Sequence, residues 1–463
     1  MGVREGTTVP ARVRRTSGFL GHVVTAAGMH LLLPVTSLAT GPVLARVLGA
    51  QGRGEMTAVL APMFVTVLIG ATAIPEATTY AVAKLGHPAR RVAKVSACLL
   101  LAYGALAGLG LAAAAPWLLR SSPQVVPLLR TTAFFVPAMM MATMLRHAAL
   151  GERRFRLAHL ERAAAPLSRL ALVLLLAGIG QLTVTTAVAT NLATTIFASF
   201  VILIPLVGGR FDRDGATPNE NNVDPGGALV PLGRQVAAYG FAGWASVLGH
   251  VVNYRIDQAL LAIWVGATQI GFYTVAFSVA QLPFMAFAAV RPVLFAEASH
   301  RDDMALVARA ARCTVPVVLF MAVTGLALTP PVLVALFGGE FREAVPLAQI
   351  LLLGVVPFAC EQILAAGLLS RGKPGLRSVS QMAAAVVTLV GLAVLVPVMG
   401  VLGAALTSLA AYLLNYVITL AMFVRETGLA VREVTVVTTD DLRWISRRLA
   451  LVARGGRCRS KHP

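Results

Sequence analysis

The stretch AVPLAQILLLGVVPFACEQILAAGLLS, residues 344–370, carries one charged side chain, Glu361, in 27 positions. A helix rises 1.5 Å per residue and a bilayer core is about 30 Å thick, so about 20 apolar residues suffice to cross it. This segment is long enough to span a membrane, and a helix satisfies its own backbone there. Working outward, eleven more stretches of the same kind stand at about 17–42, 55–83, 94–119, 126–150, 158–180, 183–208, 236–264, 271–297, 305–329, 376–397 and 401–424. Hydrophobic residues make up 57% of the chain and charged residues 13%. A water-soluble helical protein would show amphipathic stripes in place of continuous apolar runs. A membrane barrel would show alternating strands of about ten residues, which the sequence lacks. The composition therefore predicts an all-α polytopic membrane protein with about 12 transmembrane helices.

The net charge of +19 could suggest nucleic acid, but its distribution points to the membrane instead. Arg12, Arg14 and Arg15, then Arg90, Arg91 and Lys94, then Arg153, Arg154 and Arg156 fall in every second connection, as do Arg210, Arg213, Arg309, Arg312, Arg371 and Lys373. The alternate connections hold only Arg46, Arg53, Arg120, Arg130 and Arg342. The asymmetry predicts both termini in the cytoplasm, with anionic headgroups and not nucleic acid as neighbours. Cys98, Cys313, Cys360 and Cys458 show no metal-like or disulfide-like spacing.

The most polar interruption, FDRDGATPNENNVDPGG, lies in a segment read as a linker over 209–235. It separates a first lobe, 17–208, from a second, 236–424, with a basic N-terminus at 1–16 and a basic tail at 425–463. In the tail, Leu442, Ile445, Leu449 and Val452 recur at helical spacing among arginines, the pattern of an interfacial amphipathic helix. The lobes repeat at an offset of 217 residues: Gly49-Ala50 matches Gly266-Ala267, Gly54 matches Gly271, Thr57 matches Thr274 and Pro75 matches Pro292. With six spans per half, the repeats run parallel and leave a central cleft, where transporter sites lie.

Ionisable residues inside spans are costly and mark cavities or pairs. His250, Asn253 and Asp257 share one face of the seventh span, a stripe suited to relaying a proton or holding a cation. Arg255 lies on another face and either faces the cleft or snorkels outward. Glu76 follows Pro75 and Arg291 precedes Pro292, opposite charges at two equivalent proline kinks. Arg46 at an outer helix end, His30 in mid-span and Glu361 are further candidates, while Arg130 and Arg169 read as interface residues. No phosphate loop, zinc spacing or nucleophile elbow is present, and the outer connections are short, so an enzyme is not expected.

Three segments carry a family resemblance: LARVLGAQGRGEMTAVLAP (44–62), RIDQALLAIWVGATQIGFYTVAFSVAQ (255–281) and LFGGEFREAVPLAQILLLGVVPF (336–358). In this order they resemble the Wzx-like polysaccharide-transporter branch of the multidrug/oligosaccharidyl-lipid/polysaccharide (MOP) exporter superfamily. The resemblance covers residues 17–425 and implies two six-helix lobes around a central cleft. It implies an alternating-access flippase for undecaprenyl-diphosphate-linked oligosaccharide in the bacterial cytoplasmic membrane, with glycosyltransferases or a polymerase of the same pathway as partners. Arg46, Arg255, Arg291 and Asn253 are then candidates for the anionic diphosphate and sugar. Asp257, Glu76, His30, His250 and Glu361 are candidates for proton or sodium coupling, and no cofactor is expected. The alternatives are a cation-coupled multidrug (MATE) antiporter, whose cavity should be acidic, and a non-transporting scaffold for glycan assembly.

Overall fold

A computed structural model of the protein describes residues 16–71, 74–208, 229–288, 304–371, 374–438 and 441. Within its helices, the side chains of 16–35, 229–231, 239–243, 245–247, 250, 284–288, 306 and 374 lie outside the description. Of the expected linker over 209–235, residues 229–235 are instead the first turns of a helix that starts at Leu229, and 209–228 lie outside the described residues, as do Arg291 with Pro292 and the amphipathic tail beyond 441.

The helices are α1 (Thr16–Gly70), α2 (Ile74–Ala83), α3 (Ala89–Leu118), α4 (Val126–Ala133), α5 (Val136–Gly151), α6 (Phe155–Gly178) and α7 (Val184–Val207). The second half holds α8 (Leu229–Leu260), α9 (Ala267–Ala288), α10 (Met304–Phe337), α11 (Ala344–Ser370), α12 (Pro374–Met399), α13 (Val401–Thr427) and the short α14 (Val431–Thr435). α1 is two passes that reverse at Gly49, whose φ of 67° and ψ of −178° only glycine adopts without strain. α2 continues the second pass beyond the interruption before Pro75, and α4 and α5 form one pass bent by 51°. Counted this way, twelve passes coincide with the twelve apolar stretches. Among the described residues, seven helices are individually long and apolar enough to cross a membrane, or eight with the bent pair counted as one.

The outward faces suit lipid. On α12, Val386, Val390, Val394 and Val398 recur every fourth residue and are all exposed, as are Leu106 and Leu109 on α3 and Phe320 on α10. In water so much exposed apolar surface would drive association. The inward faces carry small residues and hydroxyls, which let helices approach closely.

The two halves meet chiefly where α1 packs on α9. Their contact is reciprocal. A Cβ on Gly54 would overlap the Ala267 carbonyl, and one on Gly271 would overlap the Ala50 carbonyl. The Thr274 hydroxyl donates to the Thr57 hydroxyl at 3.1 Å. Each of these pairs joins positions of the 217-residue repeat, with one partner from each half. Exchange of i-to-j with j-to-i contacts is what a two-fold axis imposes on like surfaces. The repeat read in the sequence is therefore the axis of the fold.

Candidate functional site

Call the end of the bundle bearing the Gly49 reversal the turn end, and the opposite end, where α13 finishes, the tail end. The turn end is closed by bonds between the halves. The Ser121 amide donates to the Ala262 carbonyl at 3.1 Å and its hydroxyl to Ile263 at 3.2 Å. The Ala50 amide donates to Glu340 Oε1 at 3.1 Å. Arg46 Nε donates to the Leu336 carbonyl at 2.9 Å, and its Nη2 donates to Ala335. Arg46 thus caps the last turn of α10, where unpaired carbonyls concentrate negative potential.

Beneath this seal lies a cavity of about 280 Å³ between the halves. α1, α6 and α7 supply one wall; α8, α9 and the end of α10 supply the other. Three arginines line it: Arg53 from α1, Arg169 from α6 and Arg255 from α8. Among the described lining residues there is no carboxylate. Arg255 stands with Cζ 5.8 Å from the centroid of the Phe277 ring, a cation–π approach. Arg53 Nη1 reaches only the Met56 sulfur at 3.5 Å, and Arg169 Nη2 reaches Thr195 Oγ1 at 3.4 Å. Both Nε atoms, and the Oδ1 of buried Asn191, are enclosed and make no hydrogen bond. Gln258, Gln281, Ser278 and Thr274 add neutral donors and acceptors.

Arginines at bilayer depth whose enclosed Nε donors lack an acceptor, as on half-buried Arg53 and Arg169, are unfavourable. A ligand bearing phosphate oxygens would supply both the charge and the acceptors, and guanidinium forks bind such oxygens in pairs. Among the described residues no three metal-ligating side chains gather.

Of the residues singled out in the sequence, Arg255 is in this cavity. Arg46 is at the seal, held by α10. Asp257, Asn253 and Glu361 are inside the second half. Asp257 accepts from the Tyr273 hydroxyl at 2.5 Å and from the Gln258 amide at 2.8 Å, with Ser408 Oγ 3.3 Å from the Tyr273 oxygen. Asn253 Nδ2 donates to Gln381 Oε1 at 2.8 Å, and fully buried Glu361 accepts from Gln362 at 2.8 Å and from Gln381 at 3.5 Å. Asn253 and Glu361 are therefore two ends of one chain through Gln381. Glu76 is exposed on the first turn of α2, apart from the cavity wall. His30 and His250 lie on α1 and α8, but their side chains are outside the described residues, as is Arg291.

Two cavity arginines escape the sequence reading. Arg169, taken as an interface residue, lies midway along α6; its central position in the 158–180 stretch was the available signal. Arg53 reads as a loop charge because Gly52 and Gly54 flank it, yet the helix restarts at Ala50 and carries it into the bundle.

With this geometry in hand, comparison with known proteins is informative. The model of a family described as "Polysaccharide biosynthesis protein" matches residues 26–295, more than half of the chain. The chain belongs to this family. Among solved structures, one of the lipid II flippase MurJ in an inward closed conformation superposes with a TM-score of 0.69 at 12% identity, covering 87% of each chain. An inward-facing multidrug resistance MATE family transporter of the MOP superfamily gives 0.67 at 15% identity, covering 87% of this chain and 98% of that one. An outward-facing multidrug resistance MATE transporter gives 0.59 at 13% identity, covering 88% and 95%. At these identities the likeness is one of fold. No curated protein matches the sequence.

Proposed function

We propose that the protein is a flippase that carries undecaprenyl-diphosphate-linked oligosaccharide across the bacterial cytoplasmic membrane by alternating access, with both termini in the cytoplasm. One observation carries this reading: a cavity between the halves lined by Arg53, Arg169 and Arg255, with no carboxylate among its described lining residues and with orphaned N–H donors. The diphosphate is the group those donors fit, and neutral Gln258, Gln281 and Asn191 suit sugar hydroxyls. In this reading the closed turn end is the periplasmic gate, the lipid tail stays in the bilayer, and the protein catalyses no covalent chemistry. Its partners are the enzymes that make and consume the lipid-linked glycan.

Coupling, in the same reading, falls to the buried carboxylates Asp257 and Glu361, taking up a proton or sodium ion away from the cargo. A cation-exporting antiporter would need such acids in the cavity wall, where arginines stand instead. The test is the leaflet distribution of the lipid-linked oligosaccharide in a deletion strain carrying wild type or Arg255→Ala. Accumulation in the inner leaflet, relieved only by wild type, supports flipping. An unchanged distribution with lost tolerance to cationic drugs would replace the flippase with the antiporter.

A further inference from the structure

A second concavity lies on the outside of the first half, apart from the site between the halves and sharing no lining residue with it. It holds about 320 Å³, at the lower end of the roughly 300–1,000 Å³ typical of small-ligand pockets. Its origin is the 51° bend between α4 and α5. At its deep end α3 touches the start of α5, because Gly104 leaves room for Pro137 and Gly108 for the Ala133 carbonyl. Toward the turn end the bent α4 leaves a trough over Ala105, Leu109 and Ala112, with exposed Phe134 on its rim.

The trough is apolar except for one residue, Arg130. Arg130 is exposed on α4, and its Nε donates to the Ala112 carbonyl at 3.4 Å. That bond aims the guanidinium at the mouth of the trough and uses one of its five donors. Arg130 sits four residues into α4, so about 6 Å below the helix start at the turn end. From Ala112 to Gly104 the trough descends α3 by eight residues, about 12 Å, most of the roughly 15 Å depth of one leaflet's hydrocarbon.

A fixed cation at headgroup depth, with an apolar channel running from it toward the bilayer centre, matches an amphiphile with an anionic head. We propose that this trough binds one anionic glycerophospholipid of the turn-end leaflet, its phosphate on Arg130 and one acyl chain between α3 and the α4–α5 bend. Charge complementarity selects the head, and the trough's length selects the chain. Its separation from the three-arginine cavity assigns it to a resident lipid and not to the cargo.

The test is native mass spectrometry of the full-length protein in neutral detergent, with phosphatidylglycerol or phosphatidylcholine as probe. Wild type should retain one phosphatidylglycerol in preference to phosphatidylcholine. Arg130→Gln should weaken that retention roughly tenfold, the scale of a lost charge-assisted bond, while Arg130→Lys keeps most of it. Ala105→Phe, which fills the trough from its exposed wall and leaves the arginine in place, should weaken it as well. Equal retention of the two lipids, or unchanged phosphatidylglycerol binding in both Arg130→Gln and Ala105→Phe, would overturn the proposal. Displacement of the bound lipid by undecaprenyl phosphate at equal concentration would also overturn it, by making the trough a seat for the cargo's tail.

Discussion

Replacing Gly54 with alanine should open the turn end. All three atoms nearest an added Cβ are backbone atoms of the opposite half: the Ala267 carbonyl oxygen and carbon, and the Gly271 nitrogen at 2.8 Å. No side chain can rotate away. The Ala267 oxygen would lie 1.6 Å from the added Cβ, and an unstrained contact needs about 3.5–4.0 Å, so the two halves must part by about 2 Å at their axis. Overpacking of this kind costs about 1–3 kcal/mol. The strain exists only while the turn end is closed, so it shifts the closed-to-open ratio by about 5- to 150-fold toward open. Spin labels at Gln51 and Thr268, exposed positions related by the repeat, would report the separation by double electron–electron resonance in a background lacking the four cysteines. Wild type should show mainly the short distance. Gly54→Ala and Gly271→Ala should both move population to a longer one, because their contacts are reciprocal. Gly110→Ala, with open space around its Cβ, should not. If the Gly54→Ala distribution overlays that of wild type, the seal does not depend on backbone contact at the axis and the reasoning fails.

Three further predictions rest on side chains away from the cavity. Arg146 and Glu161 bind through two parallel bonds of 2.5 and 2.8 Å between α5 and α6, with Glu161 buried, so Glu161→Gln should cost about 3–5 kcal/mol and lower the Tm in detergent. Replacing the pair together with Met and Leu should recover most of that loss. Tyr273→Phe takes from buried Asp257 its 2.5 Å donor and should cost about 1–3 kcal/mol by thermal unfolding, more than Ser408→Ala, which leaves that bond intact. Asp441 docks the start of the tail on α10: Arg312 donates to it at 2.8 and 3.3 Å and Arg309 lies 3.5 Å away. The Arg312 bonds, aided by Thr438, hold the Asp441 carboxyl at about 2, below the ordinary 3.8. A depressed folded-state pKa means the docking is complete above about 4 and is lost as pH falls through about 2. Asp441→Asn should remove it at neutral pH, read as faster tryptic cleavage in the tail.

The fold was legible because bilayer depth fixes helix length, so each apolar stretch announces one pass. The 217-residue repeat announced the axis, since Gly54 and Gly271 are glycines for a reason that acts between the halves. The site was less legible, because a residue's depth can be counted but its facing cannot. Arg46 and Arg53 lie seven residues apart on either side of the Gly49 reversal. Rotation of each leg sends the first to the carbonyls of Ala335 and Leu336 and the second into the cavity. The face of α8 that holds Asn253 and Asp257 turns into the second half, toward Gln381 and Tyr273. Arg255, on a different face of the same helix, meets the cleft together with Gln258.

The most direct measurement is transport in liposomes reconstituted with purified protein and a fluorescent undecaprenyl-diphosphate oligosaccharide, followed by quenching from outside. With wild type, the account predicts quenching beyond the half expected when the lipid is divided equally between two leaflets that do not exchange, and none beyond it with a folded Arg53→Gln/Arg169→Gln/Arg255→Gln variant. Equal transport by that variant, or movement of a cationic dye with none of the diphosphate lipid, would contradict it.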